Sequence, residues 1–213
     1  RRMRIYDMPP ENFPKIIAHR GNIDGPNPGR ENHPDYIKAA LNKGYGVEID
    51  AWFVDGQWGL GHDEPLYAVN LQYFFDLRDH SFKIHGNAYP VRRNPLIWIH
   101  LKNLGAVQEM ININRTGSSD RKEDEFGHSR HLADRLNYFW HQEDDVTITN
   151  HGHIWAHPKV EDIPVGSAWV VPNYTGIKGV HYNYSTSNWT RAEWVCVDYA
   201  NAVNDFYKEM IQK

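Results

Sequence analysis

The stretch GVEIDAWFVDGQW, residues 46–58, decides how the rest of the chain is read. Apolar and polar side chains alternate from Val47 to Trp52, the period of a strand. Asp55-Gly56 is then a dipeptide that two-residue hairpin turns favour, because both central positions need positive φ. Upstream, Lys15-Ile16-Ile17-Ala18 is a short apolar strand. Between the two, Pro34 suits the first turn of a helix, with Asn32 or His33 as its cap. Tyr36, Ile37, Ala40 and Leu41 follow at helical spacing, and Gly44 is the stop. Strand, helix and strand in so short a span predict a parallel pair with a right-handed crossover.

Further along, residues 96–102 form a third strand and residues 104–113 a helix. Residues 115–135 are polar and lack apolar periodicity, so they read as an exposed insertion. Residues 136–140, 168–171 and 194–198 supply further strands, the last followed by a helix with Ala202, Val203, Phe206 and Met210 on one face. Residues 64–95 and 141–193 are too irregular for every element to be placed. Alternating strands and helices predict an α/β architecture, either a doubly wound sheet or a barrel. At 213 residues the chain is read as a single domain, residues 1–213.

The net charge is -4, and the 23 basic residues are scattered, which argues against a nucleic-acid surface. No segment is long and apolar enough to predict membrane insertion. The lone cysteine, Cys196, excludes an internal disulfide and sits mid-strand as a core residue. The first residue is Arg1 rather than Met, which leaves room for a removed leader or tag. A soluble cytoplasmic protein is the expectation, with secretion as the alternative. The sequons at Asn114, Asn173, Asn183 and Asn188 matter only on the secretory route.

In Glu48-Ile49-Asp50 the carboxylates are two residues apart and project from one strand face. Two such groups repel unless a cation or a shared proton relieves them, and a hard divalent ion is the usual relief. A solvated outward-facing pair is the bland alternative. With a two-residue turn, Val54 pairs with Gln57, which sets Asp50 opposite Gly61 and Ile49 opposite His62. The hairpin thus returns His62 to the level of the carboxylates as a candidate acid or base. A parallel neighbour ending at His19-Arg20 brings a histidine and a cationic fork to the same strand edge. Together these residues suit phosphodiester cleavage.

The order His19-Arg20-Gly21, Glu31-Asn32, Glu48-Ile49-Asp50, Asp55-Gly56 and His62-Asp63 resembles the glycerophosphodiester phosphodiesterase family over residues 15–65. The resemblance implies a compact (β/α)8 TIM-type barrel, some of its helices trimmed to loops in so short a chain. It implies Glu48 and Asp50 as ligands of Mg²⁺ or Ca²⁺, His19 and His62 as the acid–base pair, and Arg20 as a phosphate contact with Glu31 in support. It also implies attack by a substrate hydroxyl beside the phosphate, giving a cyclic phosphate that water opens. The family's next strand carries glutamate two residues before lysine, whereas this chain has His100 before Lys102. Either His100 is a neutral third ligand that admits Mn²⁺ or Zn²⁺, or metal affinity falls and the protein is a weak relative.

Trp52, Trp98 and Trp140 lie at or near strand ends, where each is pocket wall or core. Trp52, Trp98 and Lys102 are accordingly candidate substrate contacts. His151, His153 and His157 have metal-like spacing, but Asn150-His151-Gly152 reads as a hairpin turn. Residues 141–145 follow a strand, so one or two of them reach the pocket, and Asp198 is expected to cap the last helix, although it too lies at the functional edge. The leading reading is a metal-dependent phosphodiesterase acting on a glycerophosphodiester-like substrate. Its rivals are a phospholipase-D-like lyase of the same barrel type and a barrel that binds phosphate or glycan without turnover.

Overall fold

A computed structural model describes residues 10–85, 95–116, 136–174 and 187–212. The opening stretch folds as its alternation demands. Strand β1 (Lys15–Ala18) leads through helix α1 (Pro34–Asn42) to β2 (Gly46–Val54), and the two strands are parallel. His33 is the helix cap, its ring accepting from the Asp35 amide, and Gly44 ends the helix at φ 92°. β2 turns at Asp55-Gly56 into β3 (Gln57–Leu60) with Val54 opposite Gln57. The Gly61 amide then donates to the Asp50 carbonyl, which is the register that the turn dictates.

After β4 (Tyr67–Val69) and α2 (Leu71–His85), β5 (Ile97–Leu101) pairs parallel with β2, setting His100 beside Asp50. Helix α3 (Leu104–Thr116) leads towards β6 (Tyr138–Phe139). The expected insertion at 115–135 lies outside the described residues, except that Arg115 and Thr116 close α3. The hairpin read at 150–152 joins β7 (Val146–Ile148) to β8 (Ile154–Ala156). Then come β9 (Ser167–Val170), β10 (Ala192–Val197) and α4 (Ala200–Ile211). The last helix buries Ala200, Val203 and Tyr207, so of the face read from sequence only Val203 is fully buried.

The expected (β/α)8 barrel is not what these residues build. Ten strands form one mixed sheet, curled into a half-barrel, with four α-helices among the described residues. Regular strand–helix alternation stops after β6. The stretch from 141 to 166 has no apolar helical repeat and carries Gly152, Pro158, Pro164 and Gly166. It therefore crosses as a hairpin and loops, with no helical face to lay against the sheet.

The curl has a clear physical cause: the sheet is apolar on both faces. One face packs on helices, with Val47, Ile49 and Ala51 of β2 joining Ile37 and Leu41 of α1, Phe74 of α2 and Met110 of α3. The other closes on itself. Ile17, Trp98, Phe139, Trp155, Ala168, Val170, Trp194 and Cys196, all from strands, form a second buried cluster. Trp98 on β5 lies 5.3 Å from Trp194 on β10 and 5.5 Å from Trp155 on β8, ring centre to ring centre. Those strands are not neighbours in the sheet, so their rings meet only across a concave interior. Asn150 ties the far end back: its amide donates to the Tyr138 carbonyl, and its side chain bonds Tyr138 and Leu136 backbone.

Among the described residues no helix is long and apolar enough to cross a membrane. Trp98, fully buried, should be a keystone of the interior. Trp98→Ala should lower unfolding free energy by about 3–5 kcal/mol, read by urea titration. A loss below about 1 kcal/mol would mean that the concave face is not packed.

Candidate metal centre

Four strands of the concave interior place their next inward position above the tryptophan layer, at the C-terminal edge of the parallel strands. Ile17 is followed two residues on by His19, Trp98 by His100, Phe139 by His141 and Cys196 by Asp198. Glu48 and Asp50 occupy the matching positions on β2 and are 2% and 1% exposed. The outward-facing alternative for this pair is thereby ruled out.

The His19-Arg20-Gly21 turn shapes one wall. Arg20 sits in the left-handed region at φ 53°, and Gly21 follows at φ 82°. A Cβ on Gly21 would press on the backbone of Ile37 at 3.2 Å, so the third position of the motif must be glycine. The turn aims the Arg20 amide at Glu48 Oε2 (3.2 Å) and the guanidinium between two carboxylates. Nη1 donates to Glu31 Oε2 at 3.0 Å, and Nε lies 3.3 Å from Asp50 Oδ2. That Nε is buried and makes no hydrogen bond.

Asn32, also left-handed at φ 63°, locks Asp50 from a second side. Its Nδ2 donates to Asp50 Oδ2 at 3.0 Å while its Oδ1 accepts from the Asp50 amide at 2.8 Å. From β5, His100 Nδ1 is 3.1 Å from Asp50 Oδ1 and 3.9 Å from Glu48 Oε1. Lys102 Nζ reaches Asp50 Oδ1 at 3.4 Å. One ligand atom each from Glu48, Asp50 and His100 lie within 4.8 Å of one another.

The two carboxylates are shifted in opposite directions. Burial alone would raise both. For Asp50 it is overcome by the His100 hydrogen bond and the charges of Lys102 and Arg20, which hold the group well below the usual carboxylate range. For Glu48 burial and the neighbouring Asp50 charge prevail over His19, His100 and Arg20, and its pKa rises. The positive charge around Glu48 is thus too weak to offset its burial and the Asp50 charge. The donor set fits a divalent cation: two carboxylate oxygens and one imidazole nitrogen, buried and convergent. His100 Nδ1 can donate a proton to Asp50 or, unprotonated, turn its lone pair to a cation held by the same carboxylates, and its Nε2 is buried without a hydrogen-bond partner.

The two candidate acid–base histidines differ. His19 Nδ1 is 2.9 Å from Asp198 Oδ1; burial alone would lower its pKa, but the Asp198 hydrogen bond and the Glu48 charge raise it. His62, on the partly exposed side, is 2.7 Å from Asp63 Oδ1, and burial with the Arg20 charge lowers its pKa. Asp198 is not the helix cap expected from sequence. Tyr199 holds that position, and the Asp198 carboxylate turns inward to His19 and Asn22. Glu31 stands where expected, bridging Arg20 and Asn22.

The tryptophans need correction. Trp98 lines no open site: it is wholly buried, and its indole donates to the Pro95 carbonyl. Trp52 is half-buried and spends its indole N–H on the Gly61 carbonyl at 2.7 Å, bracing the hairpin that carries His62. Trp140 is exposed. His141 does reach the site. Its ring lies face to face with His100 at 4.5 Å, and burial with the His100 and Lys102 charges pushes it down to about 4. Glu143, Asp144 and Asp145 remain exposed. Sequence reading placed Asp198 at the functional edge but gave it a cap role, and it missed Asn22 and the grip of Asn32. Inward parity with Cys196 was the available signal for Asp198.

The chain matches no protein-family model, no curated protein and no solved structure. The likeness to the phosphodiesterases therefore stands on the motif residues of the sequence alone.

Calorimetric titration with Mn²⁺ should give one binding site that Glu48→Gln abolishes while far-UV circular dichroism is unchanged. His100→Glu replaces a borderline nitrogen by a hard oxygen, so it should shift preference from Zn²⁺ towards Mg²⁺ and Ca²⁺ by roughly tenfold or more. Identical metal profiles in all three proteins would remove these residues from the ligand set.

Proposed function

We propose that this protein cleaves phosphodiesters at the Glu48–Asp50–His100 centre, using His19 and His62 as acid and base. One observation carries the reading. A buried pair of carboxylates with an adjacent imidazole is ringed by Arg20, Lys102 and a histidine whose pKa is raised. Structural cores do not need that combination. It suits a site that must hold a cation and an anion together.

A divalent ion held by Glu48, Asp50 and His100 would supply positive charge to the phosphoryl oxygens when bound. The chain's own residues do the rest. Arg20, with a buried unbonded Nε, and Lys102 attract the phosphate. His62, lowered and so neutral near pH 7, takes the proton from the attacking hydroxyl. His19, whose proton burial alone would loosen but Asp198 and Glu48 hold more tightly, gives a proton to the departing alkoxide. Environments that push two histidines apart in this way assign one as base and the other as acid. When water opens a cyclic phosphate the two exchange roles. If water is excluded at that stage, the enzyme is the lyase and stops at the cyclic product.

The Asp50 contacts favour one further reading. Asp50 already meets Asn32, His100, Lys102 and Arg20, a degree of satisfaction that would let the site bind phosphate without turnover. Hydrolysis of bis(p-nitrophenyl) phosphate discriminates the two. Activity should vanish in EDTA and return with Mn²⁺. kcat/KM should rise as His62 loses its proton below the ordinary histidine range near ~6.5, and fall as His19 loses its own above it. Phosphate binding with no turnover under any metal would establish the binding module instead.

A further inference from the structure

Asp198 was expected to cap a helix, and it does not. Its side chain is 7% exposed and turned inward. One oxygen, Oδ1, meets both His19 Nδ1 at 2.9 Å and Asn22 Nδ2 at 2.8 Å. Its backbone is pinned as well: the amide donates to the Pro172 carbonyl, and the carbonyl accepts from the Gly25 amide, each at 2.9 Å. Asn22 is fully buried and also donates to Glu31 Oε1 at 3.0 Å, and Glu31 in turn holds Arg20. The carboxylate is therefore fixed from three segments, and the frame that fixes it also fixes the arginine of the site.

From this geometry we infer that Asp198 is a positioning residue for His19. It holds the ring with its proton on Nδ1 and leaves Nε2 as the nitrogen that exchanges a proton with substrate. The role rests on the phosphodiesterase reading of the site. A carboxylate that accepts from Nδ1 selects one tautomer, orients the ring and stabilises the imidazolium once it forms. The charged groups facing His19 are Asp198 at the end of β10, Glu48 on β2 and Arg20 in its own turn. Of these only Asp198 bonds the ring directly through its side chain. The partner of His62 is different in kind. Asp63 is 91% exposed, so solvent competes for its contact, and it cannot hold a tautomer as firmly. The two histidines thus have unequal partners, and the buried one serves the acid.

The test combines nitrogen NMR of His19 with kinetics on bis(p-nitrophenyl) phosphate plus Mn²⁺, using Asp198→Asn, Asp198→Ala and each paired with His19→Ala. In the parent protein the neutral His19 signal should report the Nδ1–H tautomer; in Asp198→Ala it should become mixed and titrate at lower pH. Asp198→Asn keeps the volume, so it carries the same comparison if the alanine variant does not fold. Either variant should lower kcat by about 10²-fold with KM within about threefold, and should cost nothing more in a protein already lacking the His19 ring. Unchanged tautomer and turnover, or losses that add to His19→Ala, would overturn the assignment. If the parent cleaves no diester, the phosphodiesterase reading fails by itself, and the tautomer measurement alone decides whether Asp198 governs His19.

Discussion

Two carboxylates, Glu48 and Asp50, are buried side by side on one strand, and most of the residues around them are there because of it. Removing a charge from water costs several kcal/mol even after relaxation. The chain offsets that cost for Asp50 four times over, through Asn32, His100, Lys102 and Arg20. For Glu48 it offers the Arg20 amide and, at 3.9 Å, the His100 ring, and burial with the Asp50 charge still raises its pKa. A site that neutralises one carboxylate so fully and the other so poorly has room for one more positive charge. The ligand atoms that could take it converge from Glu48, Asp50 and His100.

The curled sheet makes this arrangement possible. An apolar floor of Trp98, Trp155 and Trp194 excludes water beneath the carboxylates and lowers the local dielectric, which strengthens every charge interaction above it. Because β6, β5, β2, β1 and β10 lie side by side and parallel, their C-terminal ends bring His19, Asp50, His100, His141 and Asp198 to one rim. Backbone strain is concentrated there too. Arg20 and Asn32 both adopt left-handed conformations, each held in place by side chains that grip the same Asp50.

Much of this rim was legible in the sequence, and the reason is local. The alternation around Glu48 and Asp50, the Asp55-Gly56 turn and the Pro34 start of α1 each follow from short-range rules, and the register they dictate was the one found. The global form was not legible. Whether a sheet closes with eight helices or curls half-way depends on what packs against each face, and residues 141–166 carry no helical period to reveal that. Trp98 failed for a related reason. Its indole has a polar end suited to a pocket, but tertiary packing against two other tryptophans took it into the core. Asp198 was misread because an aspartate before a helix is more often a cap. Its parity with Trp194 and Cys196 placed it on the inner face, and that long-range alignment outweighed the local preference.

The central claim is that Glu48, Asp50 and His100 together complete a divalent cation site. Anomalous diffraction from crystals soaked in Mn²⁺ tests it most directly. The account predicts one strong peak at about 2.0–2.4 Å from an oxygen of Glu48, an oxygen of Asp50 and a ring nitrogen of His100. An empty centre at saturating Mn²⁺, with His100 Nδ1 still donating to Asp50, would contradict it.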